Sequence, residues 1–495
     1  MPNPPDIKSL TDIKNYILSL ENKFEVDTWQ INGIHIWPYI RIKIYIHFLS
    51  FFLLKNDFQN SENLIHKSTL KERPIKLGNK LLKIIRAYFN LNVFYFKLKH
   101  KKYILFGSHM HRVVINGEYF NRFYDSMVDV YALKNEVYMF EYQKIFEKMY
   151  NKKAVVHVES YLSDFKLISK IKQRIFKQKL NLNLSLDGYD VFYIKIEKDF
   201  PIVKNLNLNR SEMIQWSFRV KSLSRFFTKV FRKVQPTHVV FSMYYGMDAI
   251  NAAVYAANKL NIKTVDLQHG PQTNHLAFSN WSRLPKNGFN TMVYDFWNWD
   301  EKSKDNITMW ASHTNAVTSH LIGQPYLNYW MNKLNNNVSK KKQIIFSLQL
   351  FELEEMIPFC VLEVIKNLDF LWIFRLHPRN HYSRQTIKDF LKKNGVYKNY
   401  DIQDSIKIPL PKVLCESVVH ITNFSGCLIE AMMLNVPTII IHEIGKETYE
   451  EYIDSKLIYY LDRSEIDFKA KLNSILIKGE ILVNHTANVN INPFI

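Results

Sequence analysis

The chain has 495 residues, and 66 lysines and arginines against 46 aspartates and glutamates leave a formal net charge of +20. With 47% apolar and 14% aromatic residues it is too hydrophobic for an unstructured chain, and its length favours two or three domains over one. Only 13 glycines occur, and no G-x-G-x-x-G, G-x-x-x-x-G-K or H-E-x-x-H pattern is present. The ordinary dinucleotide, P-loop and zincin readings therefore have no support.

At the N-terminus, charge and proline precede any apolar core, unlike a signal peptide. The three cysteines, Cys360, Cys415 and Cys427, are too few for a disulfide framework or a zinc site. The chain reads as cytosolic and reduced. Its most apolar stretch, Ile36–Leu54, carries Arg41, Lys43 and His47. The longest part free of lysine and arginine, Ile44–Leu54, is eleven residues. A bilayer span needs about 20, so a buried or interfacial helix is expected.

From Lys67 to Lys102 there are eleven lysines and arginines and one acid, Glu72. Leu81, Leu82, Ile84, Ile85, Tyr88 and Phe89 recur there at helical spacing, with Lys83 and Arg86 between them. That basic amphipathic pattern suits anionic lipid headgroups, although a solvated helix face packed on the protein has the same pattern. A second basic run extends from Lys166 to Lys179. No nucleic-acid-binding motif accompanies the charge, and nucleic acid is not expected as a partner.

Beyond Lys102, short β-rich runs alternate with helical segments. Strands are predicted at Tyr103–Phe106, Thr237–Phe241 and Thr264–Leu267, with a helix from Met247 to Lys259. A polar stretch, Asn332–Lys342, reads as a linker. The alternation then restarts, with strands at Ile344–Ser347, Phe370–Arg375, Val418–Thr422 and Thr438–Ile441. Helices are predicted at Glu352–Asn367 and Gly426–Leu434. Alternation of this kind builds parallel sheets covered by helices.

Chemistry-bearing residues cluster at the predicted strand ends, where open α/β sheets bind ligands. Asn423-Phe424-Ser425-Gly426 leads into a helix, with Ser425 at the capping position and its free N–H groups suited to an anion. Glu430 lies further in, where a ribose is a candidate partner and a solvent-facing role is the plainer one. Arg375-Leu376-His377-Pro378-Arg379 puts a histidine between two arginines suited to a diphosphate or an acid sugar. His377 and His381 are four apart, but Pro378 makes a regular helix there unfavourable, and no metal is expected. Asp266-Leu267-Gln268-His269-Gly270 exposes His269 at a further strand end, and Gly323-Gln324-Pro325 makes a rigid turn before the linker.

In this order, LQHG, GQP, RLHPR and TNFSGCLIEAMMLNVPTIII resemble GT-B glycosyltransferases of bacterial surface-polysaccharide synthesis. They are similar to capsule and lipopolysaccharide enzymes using CMP-Kdo or CMP-sialic-type sugars, and more distantly to CDP-glycerol polymer transferases. The resemblance spans roughly Tyr103 to Leu461 and fades before His100. It implies a GT-B-like α/β fold of two Rossmann-type parallel-sheet domains facing a cleft, behind a basic helical N-terminal region. The corresponding boundaries are 1–100, an acceptor domain at 101–331, a linker at 332–342 and a nucleotide-sugar domain at 343–495.

It also implies donor contacts from Arg375, His377, Arg379, Asn423, Ser425, Gly426 and Glu430. Ser108, His109, Arg112 and Gln268 would line the acceptor side of the cleft. Candidates for the base are His269, Asp248 and Glu118 in that order. Asp248 equally caps a helix and Glu118 equally sits in a solvent-exposed turn. A mechanism with a covalent intermediate requires a carboxylate nucleophile such as Asp248. No DxD motif occurs, so metal-independent chemistry without a cofactor is expected.

The implied partners are a nucleotide-sugar donor, a glycan or lipid-linked glycan acceptor and an anionic membrane surface. The implied location is the cytoplasmic face of the inner membrane. Two other readings stand beside this one: a UDP-sugar-dependent glycosyltransferase or sugar-nucleotide 2-epimerase on the same fold, and a non-catalytic scaffold for polysaccharide assembly.

Overall fold

A computed structural model of the protein describes residues 6–53, 77–142, 146–176, 182–334, 339–453, 455–481 and 491–494. Helices α1 (Leu10–Lys23), α2 (Trp37–Leu53) and α3 (Leu77–Lys97) precede the first sheet. That sheet contains β1 (Tyr103–Ser108), β2 (Val137–Tyr142), β3 (Val155–His157), β4 (His238–Phe241), β5 (Lys263–Leu267), β6 (Asp295–Asn298) and β7 (Thr318–Leu321). A second sheet contains β8 (Gln343–Ser347), β9 (Leu371–Arg375), β10 (Tyr400–Gln403), β11 (Val419–Thr422), β12 (Thr438–Ile440) and β13 (Ile458–Tyr460).

Every pairing in both sheets is parallel. The strand orders are β7-β6-β5-β4-β1-β2-β3 and β10-β9-β8-β11-β12-β13. Each order reverses direction once, between β1 and β4 and between β8 and β11, so each sheet has its own topological switch point. The expected two Rossmann-type units of a GT-B-like fold are present. Short apolar runs such as Ile344–Phe346 are buried on both faces because helices cover both sides of each sheet.

The N-terminal helices are built into the first unit. One continuous core takes Ile13, Ile17, Trp29, Trp37 and Phe48 together with Phe106 and Phe241 of the first sheet. Within it the Glu21 carboxylate accepts hydrogen bonds from Trp37 Nε1 at 3.0 Å, Arg41 Nε at 2.6 Å and the Ser282 amide at 2.7 Å. Arg41 also donates to the carbonyls of Ala277 and Asn280. That knot ties α1 and α2 to the loop after β5.

Helix α3 packs through Leu91, Phe94 and Tyr95, with Phe94 stacked on Tyr161 of the helix Val158–Phe176 at 4.0 Å. The basic run from Lys166 continues along that helix, and its residues 177–179 lie outside the described residues. No helix among the described residues is long and apolar enough to cross a membrane.

Local departures from the sequence reading have local causes. Pro358 breaks the helix expected at Glu352–Asn367, leaving a single turn at Leu353–Met356 and a helix at Phe359–Asn367. The start of the expected linker, Asn332–Leu334, is the end of a helix, Pro325–Leu334, and 335–338 lie outside the described residues.

Removing Arg41 strands a buried carboxylate, because Glu21 has no exposed surface. Arg41→Ala is expected to lower the unfolding free energy by about 3–5 kcal/mol, read from urea denaturation. A loss below about 1 kcal/mol would show that the knot is replaceable.

Candidate functional site

The two units meet along the C-terminal ends of their strands. The hairpin after β1, Arg112–Ile115 with Glu118–Asn121, lies across the seam, and the Val114 amide donates to the Ile406 carbonyl at 2.7 Å. Gln324 of the Gly-Gln-Pro turn donates to Glu430 at 3.0 Å, and Gly426 faces Pro271 of the first unit at Cβ-contact distance. Further along, Asn306 donates to Glu451 at 2.9 Å and Tyr452 to Asp300 at 2.8 Å.

Two of the cavities along this seam take up the residues singled out in the sequence. The smaller, about 70 Å³, is lined by Arg122, Arg375, His377, Ser425 and Cys427, with Tyr326 and Ile406 at its wall. The larger, about 470 Å³, is lined by His269, Arg379, Phe424 and apolar side chains of α2. Two loops of the second unit divide them: His377 and Ser425 line the small cavity, Arg379 and Phe424 the large one.

The small cavity is strongly cationic. Arg375, 6% exposed, donates through Nη2 to the carbonyls of Ser405 and Ile408, while its Nη1 has no hydrogen-bond partner. Arg122 Nε is likewise buried without a partner, and its guanidinium lies 4.7 Å from the Phe123 ring. Buried N–H groups are costly when unpaired, and both arginines that carry them line this one cavity.

Their field reaches the histidines. Burial first, then Arg379 and Arg122, pushes His377 down to about 4, and burial with Arg122 does the same to His269. His111 approaches His269 with ring centres 6.2 Å apart and accepts from or donates to Ser242 Oγ at 3.3 Å. Glu430 is pushed up by burial, against the opposing pull of Arg122 and Arg375.

The expected site residues thus fall into two groups. Arg375, His377, Ser425 and Glu430 come together with the seam, and Arg379, Gly426 and His269 border it. Ser425 accepts from the Cys427 amide at 3.3 Å, as an N-terminal cap does, though the helix it opens, Cys427–Met433, is only seven residues.

The others are held by different contacts. Arg112 also lines the small cavity, but its side chain has no exposed surface and grips Glu141 in a bidentate pair, with Asp125 at 3.5 Å, which anchors the hairpin. Gln268 is buried, donating to the Gly270 carbonyl and Ser303 and accepting from the Trp299 amide; it shapes the turn that presents His269. The Asn423 amide group is held by Arg463 and the Met356 carbonyl in the interior. Asp248 pairs with Arg219 at 2.7 Å on the helix Asp248–Lys259, and Glu118 is exposed beside the hairpin turn. Neither carboxylate lines either cavity. Ser108 caps the short turn His109–His111, and His109 is half-buried beside His111.

Arg122 is the residue that sequence reading passed over. It directly follows the second strand of the hairpin that turns at Asn116-Gly117, five residues beyond that glycine, and only the fold carries it to the second unit. Asp266, one residue before Leu267, was read as part of a motif; burial pushes it up to about 8, which keeps it protonated at neutral pH.

No protein-family model matches the sequence, and no curated protein matches it. Among solved structures the chain is similar to UDP-GlcNAc 2-epimerase from Neisseria meningitidis bound to UDP-GlcNAc. That match has 14% identity, covers 79% of this chain and 96% of the other, and has a TM-score of 0.45. The S. aureus MnaA–UDP co-structure gives 12% identity, 80% and 93% coverage and a TM-score of 0.45. Acinetobacter baumannii MurG gives 9% identity, 79% and 97% coverage and a TM-score of 0.40.

Unfolded, His269 and His377 titrate near 6.5. Folded, they stay neutral down to about pH 4, so between those values the unfolded chain binds more protons. The stability this allows is complete above about pH 6.5 and is lost as pH falls towards 4. The urea midpoint is therefore expected to drop between pH 6.5 and 4.5, and a His269→Gln, His377→Gln double variant to show a shallower drop. An unchanged slope in the variant would assign the acid sensitivity to other groups.

Proposed function

We propose that the protein is a glycosyltransferase that moves a sugar from a nucleotide-activated donor to an acceptor hydroxyl. The observation that carries this reading is the pair of unpartnered guanidinium N–H groups, Arg122 from one unit and Arg375 from the other, on one cavity at the seam. A diphosphate or phosphate ester is the acceptor-rich anion that suits both.

In the reaction the bond between the sugar's anomeric carbon and the phosphate oxygen breaks, and the electron pair leaves with the phosphate. Arg122, Arg375 and His377 stabilise that charge where it develops. The acceptor oxygen forms the new bond to the anomeric carbon, and His269 takes its proton as general base. His269 starts with a depressed pKa because of burial and Arg122. A bound phosphate cancels the push from Arg122 and makes His269 a better base when the donor is in place. Glu430, held by Gln324, lies where the donor's ribose is proposed to bind.

The donor's base is the finer part. CMP-linked acidic sugars come from the resemblance alone. UDP-sugar epimerisation, the reaction named for the Neisseria structure, is the second reading and needs no acceptor. The large cavity beside His269 favours transfer, because an epimerase acts on a single soluble substrate and has no use for a second compartment.

Thermal unfolding with CMP, UDP, GDP and CDP is the direct test, since a bound ligand raises the midpoint by mass action. One nucleotide is expected to stabilise the protein, and Arg122→Ala or Arg375→Ala to weaken it by about tenfold to a hundredfold. Deuterium incorporation into a UDP-sugar without acceptor would establish the epimerase instead. Absence of stabilisation by every nucleotide would remove both readings.

We also propose that the protein docks on an anionic membrane surface through α3. Its outward face presents Leu82, Ile85, Phe89 and Phe96, the last two 67% and 86% exposed, with Lys83 and Arg86 alongside. Apolar surface rimmed by cations suits the boundary of an acidic bilayer. The protein is expected to float with phosphatidylglycerol vesicles and not with phosphatidylcholine vesicles, and Phe89→Glu, Phe96→Glu to abolish flotation. Flotation that ignores lipid charge would overturn this docking mode.

A further inference from the structure

Helix α2 is apolar on nearly every side. One face, with Ile40, Ile44, Phe48 and Phe51, is in the core. The opposite face carries Ile42, Tyr45, Ile46, Leu49 and Leu53, spaced three or four apart, and all five line the large cavity. Ile46 is 43% exposed and Leu49 and Leu53 are half-buried, so this second face has no full protein cover. A helix hydrophobic all round is normally buried all round; here Ile46, Leu49 and Leu53 are turned to an open space of about 470 Å³, while Ile42 and Tyr45 belong to the core as well.

The far wall is apolar too, with Leu276 and Phe278 from the first unit and Phe424 and Ile444 from the second. The polar residues that border the cavity include His269, Gln272, Arg379 and Thr448. Arg379 is exposed and makes no ion pair among the described residues, so its charge is available to a ligand. A concave, mainly apolar space bordered by a cation and a histidine matches an amphiphile with an anionic head and a hydrocarbon tail.

From this we infer that α2 forms a binding site for the hydrocarbon chain of an anionic-headed lipid, with the head at His269 and Arg379 and the tail along Ile46, Leu49 and Leu53. The inference deepens the transfer reading by naming the acceptor class as a molecule whose reacting hydroxyl is carried on such a head. The site itself stands on the cavity alone and does not require that reading. Its position also accounts for the placing of the N-terminal helices. Thr11 and the α1 amides bind Glu447 of the second unit at 2.5–3.1 Å, which closes the cavity's end beside Leu10.

Alkyl phosphates below their micelle concentration provide the probe. Calorimetric titration of the full chain with butyl, hexyl, octyl and decyl phosphate is expected to show affinity rising about threefold to fourfold per methylene until the cavity is filled. Ile46→Glu, at a partly exposed position that folding does not need, is expected to lower decyl phosphate affinity by more than tenfold. Arg379→Ala is expected to weaken every chain length by a similar factor. Nucleotide-induced stabilisation should be unchanged in Ile46→Glu, which separates this site from the donor site. Chain-length-independent binding, no binding of decyl phosphate, or full binding by Ile46→Glu would each overturn the inference, whatever the nucleotide result.

Discussion

The seam between the two sheets holds positive charge that the protein itself does not neutralise. Arg122 and Arg375 reach one small cavity from opposite units, and each keeps a buried N–H without a partner. The nearby carboxylate, Glu430, is instead bonded to Gln324. Burial of an unpaired donor is unfavourable, so the arrangement persists only because rigid sheets and their loops impose it. Burial first, and then that field, keeps His377 and His269 neutral.

The arginines differ in what they do, and the difference is one of partners. Arg112 is fully satisfied by Glu141, the Tyr119 carbonyl and Asp125, and so serves as an anchor for the hairpin that carries Arg122 to the seam. Arg41 is likewise satisfied by Glu21 and two carbonyls, and it fixes α2 against the loop after β5. With α2 held in that way, its uncommitted face becomes the wall of the larger cavity. The satisfied arginines build the scaffold, whereas Arg122 and Arg375 each keep a donor unpaired.

Much of the fold was legible along the chain. The apolar runs at Tyr103, His238, Lys263, Gln343, Leu371 and Val419 read directly as strands, because burial on both faces requires continuous hydrophobic sequence. Asp295–Asn298, next to the edge of the first sheet, and the edge strand Tyr400–Gln403 lack that signal, since their polar residues mask the pattern. In the site, His377 and Ser425 stood out because proline and glycine punctuate strand ends. Arg122 lacked any such punctuation. Arg112, Gln268 and Asn423 looked like site residues for the same reason as His377, yet their side chains turn inward.

By itself the sequence determined the alternation of strands and helices, the two parallel sheets this alternation requires, and the basic apolar character of the N-terminal segment. Those are consequences of short-range periodicity and composition. Only the tertiary structure decided which charged side chains are paired and which are left open, and that α2 faces a cavity as well as the core. The reason is that a side chain's partners come from residues far away in sequence: Arg112 meets Glu141, Arg41 meets Glu21 and Ala277, and Arg122 meets a cavity formed by the other unit. The excess charge of +20 is a property of the chain, but where it remains uncompensated is a property of the fold.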